Sequence, residues 1–481
     1  MIYVFITLFV TTLLIIEGRL LFGIIGKTRD ERMIAWSLGL PLGTLVNALI
    51  FFVIHLAGIS FTAISIGAGH FVILFVLWLF FSFSTCRSFE TLCQKMCHTE
   101  GSDQDRLEVR HIFWQSPQDD TLRMSHPQWQ RSLSILCIAF ITLTLLSAFI
   151  YATVLPSFYW DTFTHWAMRA KQSLYAESFI SEGVIQPQYP ILMHSLMMLP
   201  AVFAGWNNQW VHLVTFFLSL SQTLSIFLII QKRYSRETAL IILTLLLSVP
   251  FVAIHLRQGY ADIHVTFFIL LSALFLDAWS KERSSTLLTL SALLCAAAAW
   301  TKFEGLYFGV LPWIGIVGWK MIRSKNYASI LKNGIVPIII TSFFWPLYVL
   351  LSGMPPSPHT IQLAANIDAF PMILKSLFLM GSFGLHWWAI IIASITLLIV
   401  ERKHIFKITT EHPSIIWADT ALILLVGIYI FTSESEGLTV GHNFSRAMIL
   451  PTLLYTQSLA VLCMESLRAR KIQCGVRNGL L

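Results

Sequence analysis

The stretch SLSILCIAFITLTLLSAFIYATVL at residues 132–155, followed at 159–171 by YWDTFTHWAMRAK, decides how the rest of the chain is read. Its first part is an apolar run long enough to cross about 30 Å of hydrocarbon as a helix. Its second part is aromatic, polar and charged at once. Wound as a helix, it places Asp161, His165 and Arg169 on one face, with Phe163, Trp166, Ala167, Ala170 and Leu174 on the other. An ionisable face above an apolar one is the pattern of a helix lying along a membrane surface. Asp161 is the residue of that face best suited to carry chemistry.

The composition extends this reading to the whole chain. Of 481 residues, 56% are apolar and only 12% charged, and the mean hydropathy is +0.72. Soluble proteins carry about 25% charged residues, so the chain is expected to be an all-α polytopic membrane protein. The net charge of +7 does not mark a nucleic-acid partner, because Lys and Arg collect in short loops between apolar runs. The seven cysteines are an odd number without a paired framework. Residues 1–16 lack a basic leader and a small-residue cleavage site, and read as a retained first span.

Thirteen spans are expected, near 2–24, 33–56, 61–84, 132–155, 210–230, 238–254, 262–279, 286–301, 305–322, 333–352, 384–400, 416–432 and 445–464. The short run 191–205 is read as re-entrant or surface-lying. With it excluded as a crossing, the basic clusters all fall on one side, from Lys27, Arg29 and Arg32 to Arg468, Arg470 and Lys471. By the positive-inside rule that side is the cytoplasm. The divisions are three N-terminal spans at 1–84, a cytoplasmic polar loop at 85–131, a transmembrane module at 132–465 with its first outer loop at 156–190, and a tail at 466–481. The loop 85–131 shows no helical period, and Cys93, Cys97, His98 and His111 within it fit no standard zinc spacing.

The opposite side gathers the segments rich in polar chemistry. Besides Asp161 and His165, these are Arg257 and Asp262 in the turn 255–262, Lys302 and Glu304 in TKFEG at 301–305, and Arg446 where the last span begins. Ionisable groups beside hydrocarbon are costly, so their convergence on one face points to a site. Asp161 is a candidate general base, with an N-cap as the alternative. Asp262 has the same alternative. Lys302 and Arg446 are candidate partners of an anion. His165 could join Asp161 at a divalent metal, although no set of residues has ligand spacing. His386, Trp387 and Trp388 read as part of an interfacial aromatic belt.

An outer loop with an early Asp and an amphipathic helix, then QYP at 188–190 opening an apolar segment that ends at Gly205, forms one motif. GYAD at 259–262, TKFEG at 301–305, and Arg446 five residues before Pro451 complete a series. Together these resemble the GT-C fold glycosyltransferases, in the branch of the protein O-mannosyltransferases and the lipid A aminoarabinose transferases, over residues 132–465. The resemblance implies a sugar donor on a polyprenyl phosphate and transfer with inversion, outside the cytoplasm of a bacterial inner membrane, to a glycan, lipid or protein of the envelope. It implies Asp161 as catalytic carboxylate, Asp262 as a supporting acid, and Lys302 and Arg446 on the lipid phosphate. Tyr189, His165, Arg257 and Glu304 stand beside them as candidate substrate-binding residues. The charged residue that follows the first-loop Asp in the family is Thr162 here. Two other function classes fit such a chain, a transporter or flippase of lipid-linked sugars and a non-catalytic subunit of envelope assembly.

Overall fold

Backbone amides and carbonyls facing hydrocarbon must find partners within the chain, so isolated apolar runs can cross only as helices. The computed structural model describes residues 2–26, 32–98, 128–156, 160–181, 183–324, 326–354, 368–379, 382–402, 409–432 and 442–478, and no β-strand occurs among them. Among the described residues, ten helices are long and apolar enough to cross a membrane. They include α1 (Ile2–Gly26), α2 (Arg32–Leu56), α3 (Ala63–His98), α4 (Gln128–Val154), α7 (Val211–Arg233) and α10 (Ala261–Glu282). Two more contain π-helical turns, Gly305–Val310 leading into α12 (Leu311–Arg323), and α13 (Tyr327–Ile330) running through Leu331–Ile335 into α14 (Val336–Leu351). The last two are α17 (Pro413–Phe431) and the pair α18 (His442–Ala447) and α19 (Ile449–Asn478). The chain is an all-α, polytopic membrane protein.

The thirteen spans read from the sequence differ from this in three places. The run 238–254 is two helices, α8 (Arg236–Leu247) and α9 (Pro250–Gln258), bent by 79°. Pro250 has no N–H to continue the helix, and its ring opposes a straight path. The freed groups are satisfied from another element: His386 Nε2 lies 2.9 Å from the Leu245 carbonyl, and the Phe251 amide donates to the Ser382 carbonyl at 3.2 Å. His386 therefore closes the break instead of joining an aromatic belt, and Trp387 beside it is buried while Trp388 is exposed. The other two are α11 (Ser285–Thr301), with 17 residues, and α16 (His386–Val400), with 15. Both are short for a span, yet α11 follows α10 from end to end. Ser285 shares a cavity with Trp279, and Lys302, just past α11, pairs with Asp262.

Other expectations are also revised. The segment 85–131 is helical at both ends, because α3 continues to His98 and α4 starts at Gln128. His111 and the side chains of Cys93, Cys97 and His98 lie outside the described residues. The run 191–205 forms α6 (Leu192–Ala204), whose residues from Leu192 to Ala201 are all buried. It lies inside the protein, which removes the surface-lying alternative and leaves the re-entrant one.

The core is one continuous body in which α10 is enclosed by protein along its whole apolar length. Without a hydrophobic drive between helices in lipid, close backbone approach and polar contacts hold them together. Gly39 and Gly43 on α2 meet α1 so closely that a Cβ at Gly43 would lie 2.0 Å from the Leu14 carbonyl. Ala296–Ala299 of α11 are all buried, and Ser272 of α10 and Ser291 of α11 donate to each other's carbonyls at 2.7 and 2.8 Å. His264 Nδ1 meets Gln222 Oε1 of α7 at 3.0 Å.

At the end of α10 remote from Asp262, Asp277 takes the Ser414 amide at 3.0 Å and its hydroxyl at 2.7 Å, a carboxylate against the start of α17. His412 adds a link to α19 through Glu465 at 2.8 Å, with Asp277 3.9 Å away. Burial disfavours the His412 imidazolium, but these two carboxylates outweigh it and raise its pKa. A histidine raised above its ordinary value of about 6.5 contributes stability in full below that pH and loses it as pH rises through the folded value. The unfolding midpoint of the protein in detergent is therefore expected to fall as pH rises from about 6 into mild alkali. His412→Gln should flatten that slope, measured by a thermal-shift series across pH.

Candidate functional site

The site is assembled from four breaks in the helical pattern. Gly259 ends α9 at φ +65°, where a Cβ would stand 2.8 Å from His212 Nδ1, so glycine answers both the conformation and the space. Tyr260 is extended, α10 starts at once, and Asp262 falls in its first turn. Likewise, α11 stops at Thr301 and Lys302 is extended. Gly305 then presses the chain back onto α11, where an added Cβ would lie 2.0 Å from the Ala298 carbonyl. That turn brings Lys302 Nζ to 3.0 Å from Asp262 Oδ1 and 2.5 Å from Glu304 Oε1.

The third break is the π-helical turn Thr162–Ala167, which precedes α5 (Met168–Ala176). Thr162, standing where the family resemblance expects a charge, is fully buried and donates to the Gln258 carbonyl at 2.6 Å. It anchors the loop to α9. The fourth is α18, which supplies Arg446. Its guanidinium donates to Asp161 Oδ2 through one nitrogen and to Asp262 Oδ2 at 2.9 Å through the other, above the Tyr260 ring at 4.9 Å.

These groups line a cavity of about 310 Å³ together with His165, Trp166, Arg169, Gln186, Tyr189, His194 and Tyr429. The two aspartates differ in what they have left to offer. Asp262 is the more buried, and both its oxygens are engaged, by Lys302 and by Arg446. Asp161 spends one oxygen on Arg446, and its Oδ1 has no hydrogen bond among the described side chains. Neither aspartate serves as a side-chain N-cap: Asp161 makes no cap bond, and Tyr260 holds the N-cap position of α10. Burial works against the Lys302 charge, but Asp262 and Glu304 more than offset it and its pKa is raised. Burial also raises the Tyr189 phenol, with Glu304 adding to it.

The cations divide in the same way. Lys302 and Arg446 are already matched by carboxylates. Arg169 is 1% exposed and has no carboxylate in ion-pair contact among the described residues. One of its nitrogens donates to the Pro187 carbonyl at 2.9 Å, and Nε has no acceptor among the described residues. Its contact with His194 Nδ1, at 3.3 Å, competes with the Pro190 carbonyl 3.0 Å from the same nitrogen. A carbonyl only accepts, so when Nδ1 serves Pro190 it carries the proton and cannot accept from Arg169. Burial pushes the Arg169 pKa down. A guanidinium so placed is short of a counter-ion.

The structure brings Asp161, His165, Tyr189, Asp262, Lys302, Glu304 and Arg446 to one cavity. Arg257 is not among its lining; it sits over the Tyr151 ring of α4 at 5.4 Å. The amphipathic reading of 159–171 is corrected in detail. The π-helical turn widens the helix and breaks the spacing of four, Arg169 is buried and not solvated, and Phe163 is exposed. His194, Gln186 and Tyr429 were not singled out from the sequence. For His194 the signal was there, a histidine one turn into the apolar run 191–205. Among the described residues, no three His, Cys, Asp or Glu side chains converge as a metal-binding group, and Arg446 occupies the space between the two aspartates. No protein-family model, no curated protein and no solved structure matches the chain.

Removing one partner from a buried charge network leaves the others uncompensated. Asp262→Ala, which strands Lys302 and Arg446 together, is expected to destabilise the protein by about 3–5 kcal/mol. Asp161→Ala, at a more open carboxylate with one engaged oxygen, should cost clearly less. Denaturant or thermal unfolding of the two variants, compared in one detergent, checks the order.

Proposed function

We propose that the chain is a membrane glycosyltransferase that moves a sugar from a polyprenyl-phosphate donor to an acceptor of the cell envelope. The reaction is placed on the extracytoplasmic face, and the fold is read as GT-C-like. The observation that carries this reading is the asymmetry of the cavity. Among the described residues, Asp161 holds an unspent carboxylate oxygen within the same small space as Arg169, a buried cation with no carboxylate in ion-pair contact.

The chemistry follows from that pair. The acceptor hydroxyl oxygen attacks the anomeric carbon, and its proton passes to Asp161 Oδ1. The bond from that carbon to the phosphate oxygen breaks on the opposite side, the electron pair leaves with the phosphate, and the configuration inverts. Arg169 meets the charge that grows on the leaving group, and Lys302 adds to the positive field from across the cavity. Asp262 acts through others: by fixing Arg446 and Lys302 it sets the direction of Asp161. Tyr189 and His165 line the space that the sugar would fill.

A general base contributes about 10²–10⁴-fold to such a step. Asp161→Asn, inserted and folded as the parent, is expected to lose that much transfer from a supplied lipid-linked sugar. Undiminished transfer would remove Asp161 from the chemistry. Arg169→Gln should cost about 10²–10³-fold, and Arg169→Lys should recover part of it. A flippase of lipid-linked sugars predicts instead that donor moves across vesicles with no new glycosidic bond, which thin-layer analysis of the products distinguishes. A non-catalytic subunit predicts that all three variants leave envelope assembly intact.

A further inference from the structure

A second cavity lies at the opposite end of α10. It holds about 700 Å³ and is lined by four cations, Lys281, Arg283, Lys320 and Arg323, against one carboxylate, Glu411. From Asp262 to Trp279 is 17 residues of one helix, or about 26 Å at the α-helical rise. That is close to the thickness of the hydrocarbon core. The two cavities thus sit at the two membrane faces, this one where the basic loops collect.

A face chosen for basic loops requires only that its cations reach water. Lys320 does not. It is nine-tenths buried, and its ammonium has one hydrogen bond among the described residues, to the Thr410 carbonyl at 2.6 Å. A lysine at a span end ordinarily extends outward to solvate its charge. This one instead lies 6.0 Å from the Trp279 ring centroid, and Arg283 reaches the same ring at 5.4 Å. Two cations share one indole, and neither has a carboxylate within ion-pair distance among the described residues. Lys281, by contrast, is matched by Glu465 at 2.6 Å. Hydroxyl and amide groups of Ser285, Ser324 and Asn326 complete the polar wall.

We infer that this cavity binds a phosphate-bearing ligand, carried on an anionic lipid headgroup or free in solution, with Lys320 and Arg283 on the phosphate. Phosphate oxygens accept from both cations and supply acceptors beyond the Thr410 carbonyl, the one that the Lys320 ammonium has among the described residues. The volume falls within the range of small-molecule pockets, about 300–1,000 Å³, and has room for the glycerol or other group that the phosphate bears. Trp279 and Trp319 give that group apolar walls at the depth where a headgroup meets its acyl chains. This binding site is independent of the transfer chemistry proposed for the other face.

The test uses the full chain and three variants, Arg283→Gln, the double variant R283Q/K320Q, and Lys332→Gln as an exposed cation outside the cavity. Native mass spectrometry from nanodiscs compares retention of phosphatidylglycerol with phosphatidylcholine. A thermal-shift titration with inorganic phosphate and glycerol phosphate runs in parallel. Preferential retention of phosphatidylglycerol, reduced about tenfold by the double variant, less by Arg283→Gln and not by Lys332→Gln, identifies a lipid headgroup. Stabilisation by the soluble phosphates, lost in the same two variants without any lipid preference, identifies a free phosphate compound. Arg283→Gln keeps the test open should the double variant fail to fold. Retention indifferent to headgroup charge together with no phosphate-dependent shift, or cavity variants that behave as Lys332→Gln does, overturns the inference.

Discussion

The arrangement depends on one buried carboxylate. Asp262 sits in the first turn of a helix that protein encloses on all sides, where an unpaired charge would be untenable. It is tolerated because Lys302 and Arg446 each take one of its oxygens. Those two contacts dictate much of the local fold. The chain must stop α11 at Thr301, turn at Gly305 against the backbone of its own helix, and deliver Arg446 at the head of the last span. Asp161 is then held as a consequence, through Arg446.

Two different solutions to buried charge stand at the ends of α10. Near Asp262 the charges neutralise one another closely, and Arg169 is left without a carboxylate in ion-pair contact among the described residues. At Asp277 the carboxylate is met by the amide and hydroxyl of Ser414, while His412, Glu465 and Lys281 form a chain that reaches the surface. Between them the helix is held to α11 by the Ser272–Ser291 pair. Such a helix has little freedom to tilt, so its two ends are fixed in distance and orientation.

Much of this was legible in the residues. Long apolar runs, basic loops and the clustering of Asp161, Asp262, Lys302 and Arg446 at span ends are one-dimensional patterns, and hydrocarbon thickness and charge bias translate them into placement. What was not legible depends on contacts between distant segments. The bend at Pro250 is possible because His386 arrives from 141 residues away to meet the Leu245 carbonyl. Arg169 reads as a solvated helix face until the π-helical turn at Thr162–Ala167 rotates it inward beside His194. Arg257 and Arg446 look alike as basic residues near a span end, and the packing of Arg257 on Tyr151 separates them. Thr162 resembled a lost charge, and its role becomes visible with the Gln258 carbonyl opposite it.

The sequence distances in the Asp262 network also set an order of events during synthesis. Lys302 follows Asp262 by 40 residues and Arg446 by 184. At elongation rates of about 5–20 residues per second, Arg446 leaves the ribosome roughly 10–40 s after Asp262. Through that interval α10 has only part of its final enclosure, and Asp161 has no cation to orient it. A nascent chain can therefore have most of its spans in the bilayer while the site does not yet exist. Membrane insertion and maturation of the site are separate steps, the second triggered by the arrival of the final helix.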